Sequence, residues 1–521
     1  MKYQIKLMKK LISFIILLSV PIIYYSCSKE IHGTTDNLRP LQPGSLDIDA
    51  GSWKPVLLSR VDTFSVAVPP LTNSPAYIAD LNEIKAYQQN LSSEQRSKVS
   101  YWAAGGVLRW NELMRELVAK HNLPAYQNED GTYPIPNSLN PFNYPQFPFS
   151  NPPYAARAYA YVSGAQYDAL IACWHYKALY KQPAPYKVDS MVVALNGKSD
   201  LPSYPSEAGV LAGVTAEMMK LLFPTEIAAI QQKLEEQELA TIESGTATRT
   251  DIKAGEALGR SIAQVFIARA KTDNASKAVG TPEQWAQLDS TCRAKGEIPW
   301  HSLEDPTRPP MLPFFGNVKP FLFDSLTVIS LRPQAPPSTH SAEMQNQVDE
   351  VYNYTKNPTQ ERTRIIQFWA DGAGTYTPPG HWNYIACQDF LDENYSEVRW
   401  ARNLALLNMS MMDAAIVCWN TKYYCYYPRP SQMNPQIKTL TGMPNFPSYM
   451  SGHSTFSAAA ASILGHIIPS RAGAYDAMAQ EASMSRLYGG IHYHMDCDAG
   501  LETGEKIGGY AISRAKTDGA E

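Results

Sequence analysis

The chain matches itself at a fixed offset of 245 residues (402 − 157). Arg157 pairs with Arg402, Asp168 with Asp413, Cys173-Trp174 with Cys418-Trp419 and Lys177 with Lys422. The register runs on without a gap through Pro183 and Pro185 against Pro428 and Pro430, then Pro202-Ser203-Tyr204 against Pro447-Ser448-Tyr449. It closes on Arg269-Ala270-Lys271-Thr272-Asp273 against Arg514-Ala515-Lys516-Thr517-Asp518. A self-match of this length restricts the fold to a duplicated unit. It also supplies an internal control. Residues shared by both copies are candidates for packing, and residues found in one copy are candidates for chemistry.

The copies differ at a small set of positions. Arg429 stands against Ala184, Gly452-His453 against Glu207-Ala208, Arg486 against Thr241 and His492 against Ala247. Two arginines and two histidines are therefore confined to the second copy. Lys422, Ser451 and Asp496 have counterparts in Lys177, Ser206 and Asp251, so these three serve the scaffold at least in part. Guanidinium and imidazole groups converging within one repeat indicate an anion site with acid–base chemistry.

The pattern between these positions is helical. Residues 76–122 are amphipathic, and 155–275 reads as a long Ala/Tyr-rich helix followed by helices at 206–222, 225–243 and about 250–273. Further helical patterns fall at 341–372 and about 383–392, and the second repeat spans about 400–520. Strand signals are few and short. The expected fold is all-α, two related helical bundles facing each other. The expected organisation is a signal segment at 1–27, a polar lead-in at 28–75, a first bundle at 76–275, a Pro- and aromatic-rich linker region at 276–340, and a site-bearing bundle at 341–521. The Pro-rich stretch near 133–154 is expected to wrap a folded body rather than form helix.

Net charge is −4 over 521 residues with no long basic run, which gives nucleic-acid binding no electrostatic support. At the N-terminus Lys9-Lys10 precede an apolar run, Leu11–Tyr25, that is short for a membrane span and ends at Ser26-Cys27. This resembles a bacterial lipoprotein signal with Cys27 as the acylated residue; an uncleaved anchor is the alternative. Either places the folded part outside the cytoplasm and attached to a membrane; the lipoprotein reading puts it in the periplasm or at the outer membrane or cell surface, with a lipid anchor as the only membrane contact. The six other cysteines show no metal-site spacing, and Cys173 and Cys418 read as buried core thiols.

Three segments of the second copy carry the chemistry. Lys422 closes a long helix, and Arg429 follows on a turn held by Pro428 and Pro430, where its planar fork suits a tetrahedral oxyanion. Ser451-Gly452-His453 reads as a loop entering a helix. There free backbone N–H groups form an anion cradle, Gly permits close approach and His453 stands beside the anion. A capping Ser with an incidental His is the plainer reading of that segment alone. In Ser485-Arg486 through Asp496, His492 and Asp496 are spaced to share a helix face. The carboxylate can then fix one imidazole nitrogen and leave the other free as nucleophile or ligand.

In order and internal spacing, K-x6-R-P at 422–430, S-G-H at 451–453 and S-R-x5-H-x3-D at 485–496 resemble the three-part signature of the type 2 phosphatidic acid phosphatase and vanadium haloperoxidase superfamily. Met450 replaces the Pro usual before S-G-H. The resemblance implies that Lys422, Arg429, Arg486, Ser451 and Gly452 bind the oxyanion. It makes His492 the group that bonds to phosphorus or vanadium, with His453 as the acid–base group. The length and double bundle resemble the vanadium chloroperoxidase branch, where Trp419 and Phe446 match an aromatic pair near the vanadate; Trp419 has a twin in Trp174, so packing also explains it. His381, in GTYTPPGHWNYIA, is a candidate for the pocket roof or for a structural loop histidine.

Three functions follow as expectations. The first is a vanadate-dependent haloperoxidase acting on halide and hydrogen peroxide. The second is a phosphomonoesterase with a phospho-His492 intermediate and no cofactor. The third is a catalytically idle, lipid-anchored binding protein.

Overall fold

The structure is a computed structural model that describes residues 38–135 and 151–521. The signal segment with Cys27 lies outside the described residues, as does most of the Pro-rich stretch near 133–154. Every regular element among the described residues is a helix. No described helix is long and apolar enough to cross a membrane. Residues 40–521 form one compact unit.

The first copy consists of α1 (Pro75–Gln89), α2 (Ser93–Ala103), α3 (Gly106–His121), α4 (Pro152–Tyr180), α5 (Glu207–Leu222), α6 (Ile227–Glu243) and α7 (Arg249–Thr272). The second consists of α8 (Ala342–Lys356), α9 (Gln360–Phe368), α10 (Thr377–Phe390), α11 (Glu397–Cys425), α12 (Gly452–Ile467), α13 (Ala472–Tyr488) and α14 (His494–Ala515). The last four helices of each copy start 245 residues apart (397 − 152, 452 − 207, 472 − 227, 494 − 249). The first three pairs also correspond, but at offsets of 267, 267 and 271 (342 − 75, 360 − 93, 377 − 106). The amphipathic stretch 76–122 is thus three helices, and 341–372 holds two. Breaks come where Ser92, Gly105 and Thr359 take extended or positive-φ backbone and open a new helix.

Local sequence explains the shared starts and stops. Asn151 and Ser396 cap α4 and α11 by accepting from Tyr154 N at 3.0 Å and Arg399 N at 3.2 Å. Both helices then run 29 residues and end on a left-handed residue, Lys181 or Tyr426. Each is buried along nearly its whole length, and they pack against each other at the centre of the molecule. Close approach of α5 to α7 and of α12 to α14 depends on glycine. A Cβ at Gly259 would lie 2.3 Å from the Val210 carbonyl, and one at Gly504 2.5 Å from that of Thr455.

Two straps lock the copies together. Asp168 on α4 accepts from the N–H groups of Val56, Leu57 and Leu58 at 2.6–3.0 Å. Asp413, its counterpart on α11, accepts from Phe321 and Leu322. The first strap is tied at the same time to the end of the other copy, where Arg514 donates to the carbonyls of Lys54 and Pro55. Reciprocally, Arg269 donates to those of Lys319 and Pro320. Each strap therefore joins the long helix of one copy to the last helix of the other. The 276–340 region is more than a linker, since it contains the second copy of Lys54-Pro55 at an offset of 265 (319 − 54).

Candidate active site

The second bundle gathers the expected groups around a cavity of about 270 Å³, lined among others by Trp419, Phe446, Gly452, His453, Arg486 and His492. His492 does not sit on a helix. It lies in the turn between α13 and α14, opened by Gly490 at φ 77°, and Asp496 is in the first turn of α14. The i, i+4 contact survives because Asp496 caps the helix. Its Oδ2 accepts from Tyr493 N at 3.2 Å, from Ser448 Oγ at 2.5 Å and from His492 Nδ1 at 2.8 Å. On its other side His492 Nε2 lies 3.1 Å from Arg429 Nη1. A guanidinium can only donate, so Nε2 carries the lone pair and Nδ1 the proton. The nitrogen facing the arginine is thus the nucleophilic one. Burial and then the nearby Arg429 and Lys422 charges hold the His492 pKa well below its ordinary value, so the ring is neutral.

Arg429 is fully buried. Nε donates to Phe446 O at 2.9 Å and Nη1 to Ile491 O at 2.5 Å, while Nη2 has no partner. Arg486 donates through Nε to Ser485 Oγ at 2.9 Å, and its Nη2 also has no partner. His453 Nε2 is the third buried, unpartnered nitrogen. A buried donor without an acceptor costs about 1–3 kcal/mol, more when charged, and an oxyanion between these groups would return that cost. Gly452 leaves the room: a Cβ there would meet nothing closer than Trp419 at 3.7 Å. The site therefore fits a tetrahedral oxyanion.

Lys422 is placed differently. Its ammonium donates to the carbonyls of Pro447 (3.0 Å), Ser448 (2.8 Å) and Met450 (2.5 Å), which uses all three N–H groups. Burial pushes its pKa down to about 7, against which these carbonyls favour the charged form. Phe446 stands between the buried cations and the cavity, its ring centroid 5.0 Å from Lys422 Nζ and 5.0 Å from Arg429 Cζ, and 4.9 Å from the Trp419 ring. Ser451 does not offer its backbone N–H to a ligand. That group donates to Asp496 O at 2.9 Å, and Ser451 Oγ caps α12 through Ser454 N. In the first copy Ser206 makes the same two bonds, so this serine serves the scaffold in both copies, and neither bond uses its hydroxyl proton.

His381 does not roof the cavity. It stands behind Asp371, with Nδ1 3.1 Å from Asp371 Oδ1, packed against Trp369 at 4.7 Å between ring centroids. Asp371, which lines the cavity, was not foreseen. Its other oxygen lies 3.8 Å from His453 Nε2, and its charge acts on Arg486. The trace in the sequence is the D-G-A-G turn at 371–374, with Asp371 at φ 45°. Burial and then Arg486 hold the His453 pKa well below its ordinary value. His494 turns away to Glu350 at 3.0 Å.

This arrangement sets two guanidinium groups and an imidazole beside His492 Nε2. Residues 403–514, which hold the site residues from Lys422 to Asp496, match the model of the PAP2 superfamily. No curated protein matches the chain. Among solved structures, the first bacterial vanadium-dependent iodoperoxidase superposes with a TM-score of 0.53 at 22% identity, covering 70% of this chain and 91% of that one. A bacterial vanadium-dependent chloroperoxidase gives a TM-score of 0.49 at 15% identity in its apo form, covering 70% and 93%. Its holo form gives 0.48 at 13%, covering 76% and 98%. The iodoperoxidase likeness shows that this fold extends beyond the matched segment, over 70% of the chain.

Proposed function

We propose that the protein is a vanadate-dependent haloperoxidase, oxidising halide with hydrogen peroxide and a proton to hypohalous acid and water. The observation that carries the reading is the pair of buried guanidinium donors without acceptors, Arg429 Nη2 and Arg486 Nη2, with the unpartnered His453 Nε2 beside them, at the lone pair of a tautomer-locked His492. Support for the haloperoxidase branch comes from the double bundle it shares with the iodoperoxidase. Arg429, Arg486 and the Gly452 cradle would hold vanadate, with His492 Nε2 as the group that would bond to it. Bound vanadate supplies a Lewis acid that activates peroxide toward halide.

The chain's own residues do the rest. Asp496 keeps the His492 proton on Nδ1 and the lone pair on Nε2. Phe446 and Trp419 keep water from the buried cations, which preserves their charge attraction in a low dielectric. His453, neutral in the free protein, gains basicity beside a bound anion and can hold the proton that the reaction consumes. Asp371 Oδ2 lies 3.8 Å from His453 Nε2, the same unpartnered nitrogen.

A second reading rests on the same lone pair. Nε2 would attack the phosphorus of a phosphomonoester, the P–O bond to the leaving alkoxide would break, His453 would protonate that oxygen, and water would release phosphate. The deciding experiment measures bromide and iodide oxidation with vanadate and peroxide, beside phosphate release from p-nitrophenyl phosphate. Vanadate-dependent halide oxidation that far outruns phosphatase turnover is expected. Phosphatase turnover without halide oxidation would overturn the first reading in favour of the second, and neither activity would leave a binding protein.

A further inference from the structure

The place in the first bundle that corresponds to the oxyanion pocket is a cavity of about 660 Å³, larger than the pocket itself. Its wall includes Lys177, Ala184, Ser206, Glu207, Ala208 and Ala247, each 245 residues before a residue of the oxyanion site. A volume of this size is that of a small-molecule site, so loss of the arginines and histidines has left room rather than a collapsed core.

The remaining polar groups are of mixed kind. Trp174 is only 2% exposed, lines the cavity, and its Nε1–H has no partner. It faces the Glu207 carboxylate. Gln237, also 2% exposed, gives its Oε1 to Trp110 Nε1 at 2.7 Å, which leaves its amide NH2 for the cavity it lines. Lys177 is turned to the Pro202 carbonyl, and both Glu397 oxygens take the N–H groups of Gly106 and Val107. Burial raises the pKa of Glu207, and that of Glu397 to about 7.

These groups choose a ligand by elimination. An anion meets Glu207 at the first position of α5, where the second copy has Gly452. An amine would pair with Glu207 but leave the Trp174 and Gln237 donors without acceptors. A hydroxyl both donates and accepts, so one placed between Trp174 and Glu207 satisfies the two together. The faces of Trp102, Trp174 and Tyr186 add apolar contact for the C–H surface of such a ligand. We propose that the first bundle is a binding site for a neutral, hydroxyl-rich organic molecule, a polyol or sugar, which meets Trp174 Nε1, Glu207 and the Gln237 amide.

The test is calorimetric titration of the full chain with glucose, cellobiose and myo-inositol, and with inorganic phosphate and ethylamine as contrasts, in the presence of saturating vanadate. Saturable binding of at least one of the three neutral probes is expected. It should weaken about fivefold in Trp174→Phe, the loss of one neutral hydrogen bond, and more than that in Ala208→Trp, whose ring takes up the part of the cavity beside Glu207. Vanadate affinity should stay unchanged in both variants, which also shows that they fold; if Ala208→Trp fails that control, Glu207→Gln with Trp174→Phe decides. No binding of any neutral probe, polyol binding indifferent to these substitutions, or preferential binding of phosphate or ethylamine at this cavity would overturn the proposal.

Discussion

At corresponding places in the two bundles, three groups make the same bonds. Lys177 and Lys422 both donate to the carbonyl of the Pro in Pro-Ser-Tyr, Pro202 or Pro447. Ser206 and Ser451 both donate to the carbonyl of an Asp, 251 or 496, at 3.0 and 2.9 Å. Asp251 and Asp496 both accept the N–H three residues earlier, and burial pushes both up to about 6. Where the bundles differ, one has Arg429, Arg486, His453 and His492, and the other Ala184, Thr241, Ala208 and Ala247. The difference teaches that half of the signature makes scaffold bonds common to both bundles, while the other half is present in one bundle alone. Lys422, Ser451 and Asp496 hold the loop, and only the last has been given a second task, through His492.

The largest expected effect of breaking this asymmetry is at His492. His492→Ala should abolish tight vanadate binding and the labelled phospho-enzyme alike, whereas Ala247→His should create no second site. Vanadate titration of both variants checks this; retained tight binding in His492→Ala would mean that Nε2 is not the ligand.

His453 comes next. General acid–base assistance is worth about 10²–10⁴ in rate. His453→Ala should lose turnover by that factor while vanadate affinity changes far less, read as kcat against Kd. A collapse of binding with turnover per bound vanadate intact would reverse the roles of the two histidines.

Arg429→Lys should weaken oxyanion binding roughly tenfold, because a lysine cannot fork between the anion and the Phe446 and Ile491 carbonyls. Wild-type affinity in that variant would place Arg429 outside the site.

The smallest effect is on pH. His492 and His453 both have folded pKa values below the ordinary 6.5, so the unfolded chain binds more protons as pH falls below that value. Their contribution to stability is present above pH 6.5 and is lost as pH drops toward their folded values. Thermal unfolding of the anion-free protein should show an acid limb below pH 6.5 that is shallower in His492→Ala. An unchanged limb would show that the histidines are already charged in the folded state.

The gapless offset made the pairs α4/α11 through α7/α14 legible, because each copy repeats the same caps, prolines and helix length. The first three helix pairs and the straps escaped it. Their offsets are 265–271 rather than 245, and strap function resides in backbone N–H groups that leave only Lys-Pro as a trace. His492 and Asp496 were legible as a pair, but their contact comes from a capped turn, which spacing alone does not distinguish from a helix face. The backbone N–H of Ser451 looks free in the sequence, which does not reveal that the Asp496 carbonyl takes it. Asp371 was invisible, a lone carboxylate in a glycine turn brought to His453 by tertiary packing. The cavity in the first bundle could not be foreseen either, since replacing Arg and His by Ala predicts lost charge but not whether the space closes.

The central claim is that one bundle keeps an oxyanion site and the other has lost it. Calorimetric titration with orthovanadate tests it most directly. One site per chain is predicted, lost in Arg486→Ala and unchanged in Thr241→Ala. Two sites per chain, or a single site that survives Arg486→Ala, would contradict it.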